Sequence, residues 1–172
     1  MKKNLLIFAA ILMVSGSVFG QTAVTATAEK KPAVKKAAEA FPREKFDPLR
    51  DPNVDLIAAV ETATKNGKRI ILDIGGEWCG WCVYMDKFFY QNAGIAKLRD
   101  DNFIWVKVNM SEQNENKAFL SAYPVITGYP HLFVLETDGK FLHSQDTAPL
   151  ESGKGYDLPK FTAFLKTWSK GQ

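Results

Sequence analysis

Cys79 and Cys82, within Trp78-Cys79-Gly80-Trp81-Cys82, are the two cysteines of a 172-residue chain. With no other thiol present, they pair with each other, with a partner's cysteine, or with a metal. A Cys-x-x-Cys pair between an apolar strand and a helix is suited to thiol–disulfide exchange. Ile70-Ile71-Leu72-Asp73-Ile74 reads as that strand, Gly75-Gly76 as the turn, and Val83 through Gln91 as the helix. Unpaired backbone N–H groups in the first turn, together with the helix dipole, stabilise a thiolate on Cys79. The thiolate is the nucleophile, so this placement makes an ordinary thiol reactive.

Other uses of the pair fit less well. A structural zinc site takes four ligands; only His131 and His143 are on hand to join the cysteines, and neither shows finger-type spacing to them. A purely stabilising disulfide would close too short a loop to restrict the unfolded chain much. Asp73 also stands out, because a carboxylate inside an Ile/Leu strand is costly unless it is used or paired. Lys107 interrupts an equally apolar strand and is its candidate partner. The plain alternative places Asp73 near a strand edge, in contact with water.

The elements that must position these groups follow from periodicity and punctuation. Asp51-Pro52 caps a helix that begins over Val54–Val60 and ends at Gly67. The cysteine helix is expected to break near Asn92-Ala93-Gly94 and to resume from Ile95 to Arg99. Phe103–Val108 is a second strand, and Glu115–Tyr123 a helix stopped by Pro124. His131–Glu136 and Lys140–His143 form a hairpin over Thr137-Asp138-Gly139. Ser144–Tyr156 reads as a solvated loop that rims the site at most. Leu158–Trp168 closes the chain as an amphipathic helix with Phe161, Phe164, Leu165 and Trp168 on one face. This order implies an α/β fold with a mixed sheet covered on both faces.

The N-terminus has the layout of a secretory signal: Lys2-Lys3, the apolar run Leu5–Val14, then small residues around Ser15-Gly16-Ser17. The run is short of the about 20 apolar residues of a membrane span. Cleavage after Gly20 leaves Val18 and Gly20 at the −3 and −1 positions, with Ser17 as another end, and no cysteine nearby takes a lipid. This gives residues 1–20 as signal peptide, 21–45 as flexible linker rich in Ala, Thr, Lys and Glu, and 46–172 as one domain. The expected location is periplasmic or extracellular, with membrane attachment only if the signal stays uncleaved. Formal charge is +3 and falls to +1 without Lys2 and Lys3. No basic stripe suggests nucleic acid.

Three segments in the right order carry a resemblance to the thioredoxin superfamily over nearly all of residues 52–170: Leu72 to Cys82, Val106-Lys107-Val108-Asn109, and Ile126 to Val134. The helix before Lys68-Arg69-Ile70 is most similar to the secreted, thioredoxin-like branch of thiol–disulfide oxidoreductases. The resemblance implies the thioredoxin fold, a central mixed sheet with helices on both faces, and no bound cofactor. It implies that Cys79, at the exposed end of the pair, forms a mixed disulfide, and that the deeper Cys82 resolves it. Asp73 then takes the Cys82 proton, with Lys107 at the family's partner position. It further implies a cis Tyr129–Pro130 bond facing the dithiol, with Tyr129 presenting backbone to an extended substrate.

Trp78 and Trp81, flanking Cys79 and Gly80, are expected to form an apolar docking surface, Trp78 being the one more apt to pack inward. The family's reductive members usually carry proline where Trp81 stands, so the direction of electron flow stays open; the cysteine helix also lacks the family's mid-helix proline. Met85 reads as core, and His131 as a core or surface histidine rather than a neighbour of the sulfurs. Expected partners are proteins bearing dithiols or disulfides and an upstream redox partner. A rival reading is a Cu(I) metallochaperone using Cys79, Cys82 and His131 or His143, since soft thiolates suit that ion. Related copper binders space their cysteines further apart. A third, a non-catalytic binding domain, is opposed by the intact dithiol.

Overall fold

The computed structural model describes residues 41–171. The signal peptide expected at 1–20, and all but the last five residues of the linker expected at 21–45, lie outside the described residues. Among those described, no helix is long and apolar enough to cross a membrane.

Helix α1 spans Pro52–Asn66, capped by Asp51, whose carboxylate accepts the Asn53 N–H at 2.8 Å. It stops where Gly67 turns left-handed at φ 66°, a conformation that favours glycine. Strand β1 (Arg69–Gly75) follows, then α2 (Gly80–Gln91), α3 (Ala93–Asn102) and β2 (Phe103–Asn109). The chain continues through α4 (Lys117–Leu120), β3 (His131–Leu135), β4 (Phe141–Asp146), a 3-10 turn (Ala148–Leu150), the short pair β5 (Glu151–Ser152) and β6 (Gly155–Tyr156), and α5 (Leu158–Trp168).

The main sheet is ordered β2-β1-β3-β4. β1 runs parallel to β2 and antiparallel to β3, which pairs antiparallel with β4. Alternation along β1 sends Ile70, Leu72 and Ile74 to one layer, where they pack with Ala59, Ala63, Val106, Val108, Phe119 and Phe133. Ile71 goes to the other, with Met85, Phe88, Phe89, Leu132, Val134 and Phe161. Both faces are therefore covered, which is why β1 and β3 read as nearly unbroken apolar runs. The mixed sheet between helical layers is as expected.

Several boundaries differ. α2 begins at Gly80 rather than Val83, because Cys79 serves as its cap. The break before α3 is the single residue Asn92, and α3 runs on to Asn102. The helix expected over Glu115–Tyr123 contracts to Lys117–Leu120. Asn116 is left-handed at φ 48°, which prevents an earlier start. After Ser121 the N–H groups of Ala122 and Tyr123 bond only three residues back, and Pro124 disfavours helical backbone at Tyr123. β4 also extends to Asp146 because His131, Leu132 and Phe133 keep pairing with Asp146, Gln145 and Ser144. The segment Ser144–Tyr156 is thus strand, 3-10 turn and a small hairpin rather than loop.

Candidate active site

Cys79 and Cys82 are joined by a disulfide, with their Cα atoms 5.3 Å apart. Cys79 ends the β1–α2 turn in extended backbone, and its sulfur accepts the Cys82 N–H at 3.1 Å. A sulfur that caps a helix faces the positive end of its dipole, and α2 has no acidic residue in its first turn to oppose a thiolate. Cys82, one turn in, is fully buried. Cys79 is only 4% exposed, so the expected exposed end is a shallow recess. Gly75 permits that depth: a Cβ there would lie 2.5 Å from Cys82 Sγ and 3.0 Å from Phe46 Cζ.

The walls of the recess are aromatic, with the two tryptophans exchanged relative to expectation. Trp78 is the exposed one; its indole N–H donates to the Met110 carbonyl at 2.7 Å, and its ring meets Tyr129 edge-on at 5.4 Å. Trp81 packs inward, edge-on to Tyr84 and Tyr156. The reason is helical phase, since Trp81 faces the α2–β6 contact whereas Trp78 precedes the helix. Gly80 is exposed, with open space where a Cβ would project. A cleft of about 510 Å³ lies beside Trp78, lined in part by Phe46, Pro48, Glu77 and Met110.

The Tyr129–Pro130 bond is cis. Tyr129 packs against the cluster formed by Phe46, Cys79 and Cys82. Pro130 is buried, and its carbonyl accepts the Thr147 hydroxyl at 2.9 Å.

Behind the dithiol, on the α2 face of the sheet, lies a charged cluster. Asp73 and Lys107 are register partners on β1 and β2. Asp73 Oδ2 accepts from Lys107 Nζ at 3.0 Å and from the Trp105 indole N–H at 3.1 Å. Asp73 Oδ1 is buried and has no hydrogen-bond partner among the described residues. β1 is an interior strand and Asp73 is fully buried, so the solvated-edge alternative does not apply. Lys107 also donates to Asp86 at 2.8 Å. Burial alone would lower the Lys107 pKa, but the two carboxylates outweigh it and raise it. Burial raises the Asp86 pKa despite Lys107 and Arg43 beside it.

Three of these residues were missed from sequence. Asp86 stands one turn beyond Cys82 on α2, and that i, i+4 spacing is a signal that could have found it. Arg43 and Phe46 come from the segment before α1. Arg43 pairs with Glu77 at 2.5 Å and with Asp86 at 3.1 Å, and its side chain is 3% exposed. Phe46 lies under the Lys107 ammonium, which sits 4.1 Å from its ring centroid. A cleft of about 480 Å³ lined by Arg43, Asp86, Trp105 and Lys107 opens the cluster toward water.

His131 is a core residue, bonded to Ser144 at 2.7 Å and packed on Phe133; burial lowers its pKa. His143 stacks on Trp168 at 4.5 Å. Among the described residues neither joins the cysteines in a group of three metal-binding side chains.

A sequence model described as thioredoxin-like matches residues 51–137. The chain is 27% identical over 89 residues to the thiol:disulfide interchange protein DsbD of Colwellia psychrerythraea, covering 51% of this chain and 14% of that one. It is 27% identical over 92 residues to the disulfide bond reductase DsbH of Chlamydia pneumoniae, covering 49% and 55%. Both relatives are thus matched over less than two thirds of their length. A solved structure described as a disulphide isomerase from Xylella fastidiosa aligns with a TM-score of 0.60 at 22% identity, over 74% of this chain and 98% of that one. At that identity the likeness is one of fold.

Proposed function

The chain belongs to the thioredoxin-like family, and on that premise we propose that it is a thiol–disulfide oxidoreductase that reduces or exchanges disulfides in partner proteins. The observation that carries this reading is the Cys79–Cys82 disulfide at the cap of α2, backed by a buried carboxylate and ammonium. In the reducing direction, the Cys79 thiolate attacks a substrate disulfide; one S–S bond forms as another breaks, and a substrate thiolate leaves. Cys82 then gives its proton to Asp73 and attacks Cys79. The Cys79–Cys82 bond forms, the mixed disulfide breaks, and the second substrate thiolate takes a proton from water. The substrate disulfide is reduced by two electrons and the Cys79–Cys82 dithiol is oxidised by the same two; run backwards, the steps donate a disulfide.

Lys107 holds Asp73 in place and carries the compensating charge. Trp78, the exposed Gly80, Trp81 and Tyr129 with cis Pro130 surround the reactive sulfur and form the proposed seat for an extended substrate. The signal-like N-terminus supports work in the periplasm or outside the cell, where an upstream redox partner would restore the dithiol. Reduction is favoured by the likeness to the disulfide bond reductase of Chlamydia pneumoniae.

Cys79→Ser is expected to abolish reduction of insulin disulfides, and Cys82→Ser to accumulate mixed disulfides on Cys79. A Cys82 that alkylates faster than Cys79 at neutral pH would reverse the two roles. The reduction potential of the pair sets the direction: near about −270 mV marks a reductant, near about −120 mV an oxidant.

A further inference from the structure

Cys82 is walled off by a residue that lies outside the family-matched segment. Phe46, 3% exposed, forms one apolar cluster with Cys79 and Cys82. Its ring tip and the Cys82 sulfur meet over Gly75, where a single added Cβ would contact both at 3.0 Å and 2.5 Å. The same ring carries the Lys107 ammonium at 4.1 Å from its centroid. Phe46 therefore lies beside the resolving sulfur and under the buried cation at once. We propose that Phe46 is a positioning residue for Cys82, a partition that keeps water and the Lys107 charge away from the resolving sulfur until a mixed disulfide forms.

The partition is fastened where it matters. The Phe46 N–H donates to Glu77 Oε1 at 3.0 Å. Arg43 grips the same carboxylate through both terminal nitrogens, at 3.1 and 2.5 Å, and reaches Asp86 at 3.1 Å. A bidentate guanidinium–carboxylate fork is geometrically specific, so it fixes the backbone as well as the charge. The segment 43–46 thereby links the turn before Cys79, the helix after Cys82 and the cation of β2.

The charged and titratable groups on the elements around the dithiol and Phe46 include Tyr129, which packs against the cluster, Asp73 of β1, Glu77 of the turn, Asp86 of α2, Lys107 of β2, Arg43 of the arm and Tyr156 of β6. Two of these carboxylates already engage Lys107, and two engage Arg43. The phenyl ring lies against the ammonium on one side and belongs to the sulfur cluster on the other. A cation or water brought to a thiol favours its thiolate, whereas an apolar lining favours the thiol. With the ring in place, Cys82 keeps its proton and stays inert to outside reagents, while Cys79 alone meets substrate.

The proposal rests on the redox reading of the dithiol but is tested without it. In full-length Cys79→Ser protein, Cys82 is the sole thiol, and its alkylation by iodoacetamide is followed against pH. Phe46→Ala is expected to raise the neutral-pH rate about tenfold or more. It should also lower the pH midpoint by about one unit, a fraction of what full burial can impose. Phe46→Leu, which refills most of the space, should return the profile toward that of the parent. Arg43→Gln, which unfastens the arm from the other end, should shift it in the same direction but less, and it keeps the test open if Phe46→Ala fails to fold. Coincident profiles in folded Phe46→Ala and Arg43→Gln proteins would overturn the proposal, as would a Leu variant shifted as far as Ala. Insulin reduction by the parent decides the redox reading separately: an inactive parent with the Phe46 shift intact sinks that reading and leaves the partition standing.

Discussion

Asp73 accepts from an ammonium and an indole through one oxygen and leaves the other buried and unpartnered. An unpaired buried acceptor costs about 1–3 kcal/mol, and it is a place where a proton can arrive. Asp73→Asn keeps the shape and removes the base. The expected result is a release of mixed disulfide slowed about a hundredfold or more with its formation nearly unchanged, since general-base terms are of order 10²–10⁴. Stopped-flow measurement of the two steps checks this, and equal rates in mutant and parent would remove Asp73 from the mechanism. The Asp73–Lys107 pair was legible because each charge interrupts an apolar strand. Asp86 was not, because a carboxylate on a helix with a half-exposed face looks like ordinary surface. Phe46 and Arg43 were less legible still, since nothing local distinguishes a phenylalanine that shields a sulfur from one that fills a core.

At the scale of elements, strands and long helices were legible where burial and capping agreed, as in α1 with Asp51, Pro52 and Gly67. The failures fall where long-range pairing decides. β4 grows to Asp146 because β3 supplies partners, although its own residues Phe141–Asp146 are mostly polar. The turn joining β3 to β4 is held by Glu136, whose pKa is lowered to about 2 from 4.5, first by the Thr137 backbone N–H and hydroxyl and then by Arg69. A depressed folded-state value means that this stabilisation is complete above the ordinary carboxylate range and is lost as pH falls through about 2. Glu136→Gln is therefore expected to lower stability at neutral pH by about 1 kcal/mol, the scale of a partly exposed pair. The gap to the parent should close between pH 4.5 and 2 in chemical denaturation curves. A pH-independent gap would mean that the hydrogen bonds act through shape rather than charge.

Across the whole molecule, the redox helix is supported by chain that lies beyond residues 51–137 on both sides. The segment 43–46 closes it in front, and α5 supports it from below. Phe161 of α5 is fully buried, with its ring 5.5 Å from that of Phe88 and 5.2 Å from that of Phe89, both on α2. Tyr156 and Phe164 complete that contact at 5.5 and 5.9 Å. The amphipathic pattern of α5 was visible in sequence, but not that it packs against the cysteine helix, because periodicity tells which face is buried and never against what. Removing a phenyl ring from such a site costs about 3–5 kcal/mol in lost transfer energy and residual cavity. Phe161→Ala should therefore lower the melting temperature by roughly 10–20 °C. It should also loosen α2 before the sheet, so that in reduced protein Cys82 alkylates faster well below the melting transition, while the hydrogen-exchange protection of β1 and β3 persists. If the thiol instead becomes reactive only as the whole domain melts, α2 and the sheet form one cooperative unit, and α5 stabilises the fold without specifically supporting the site.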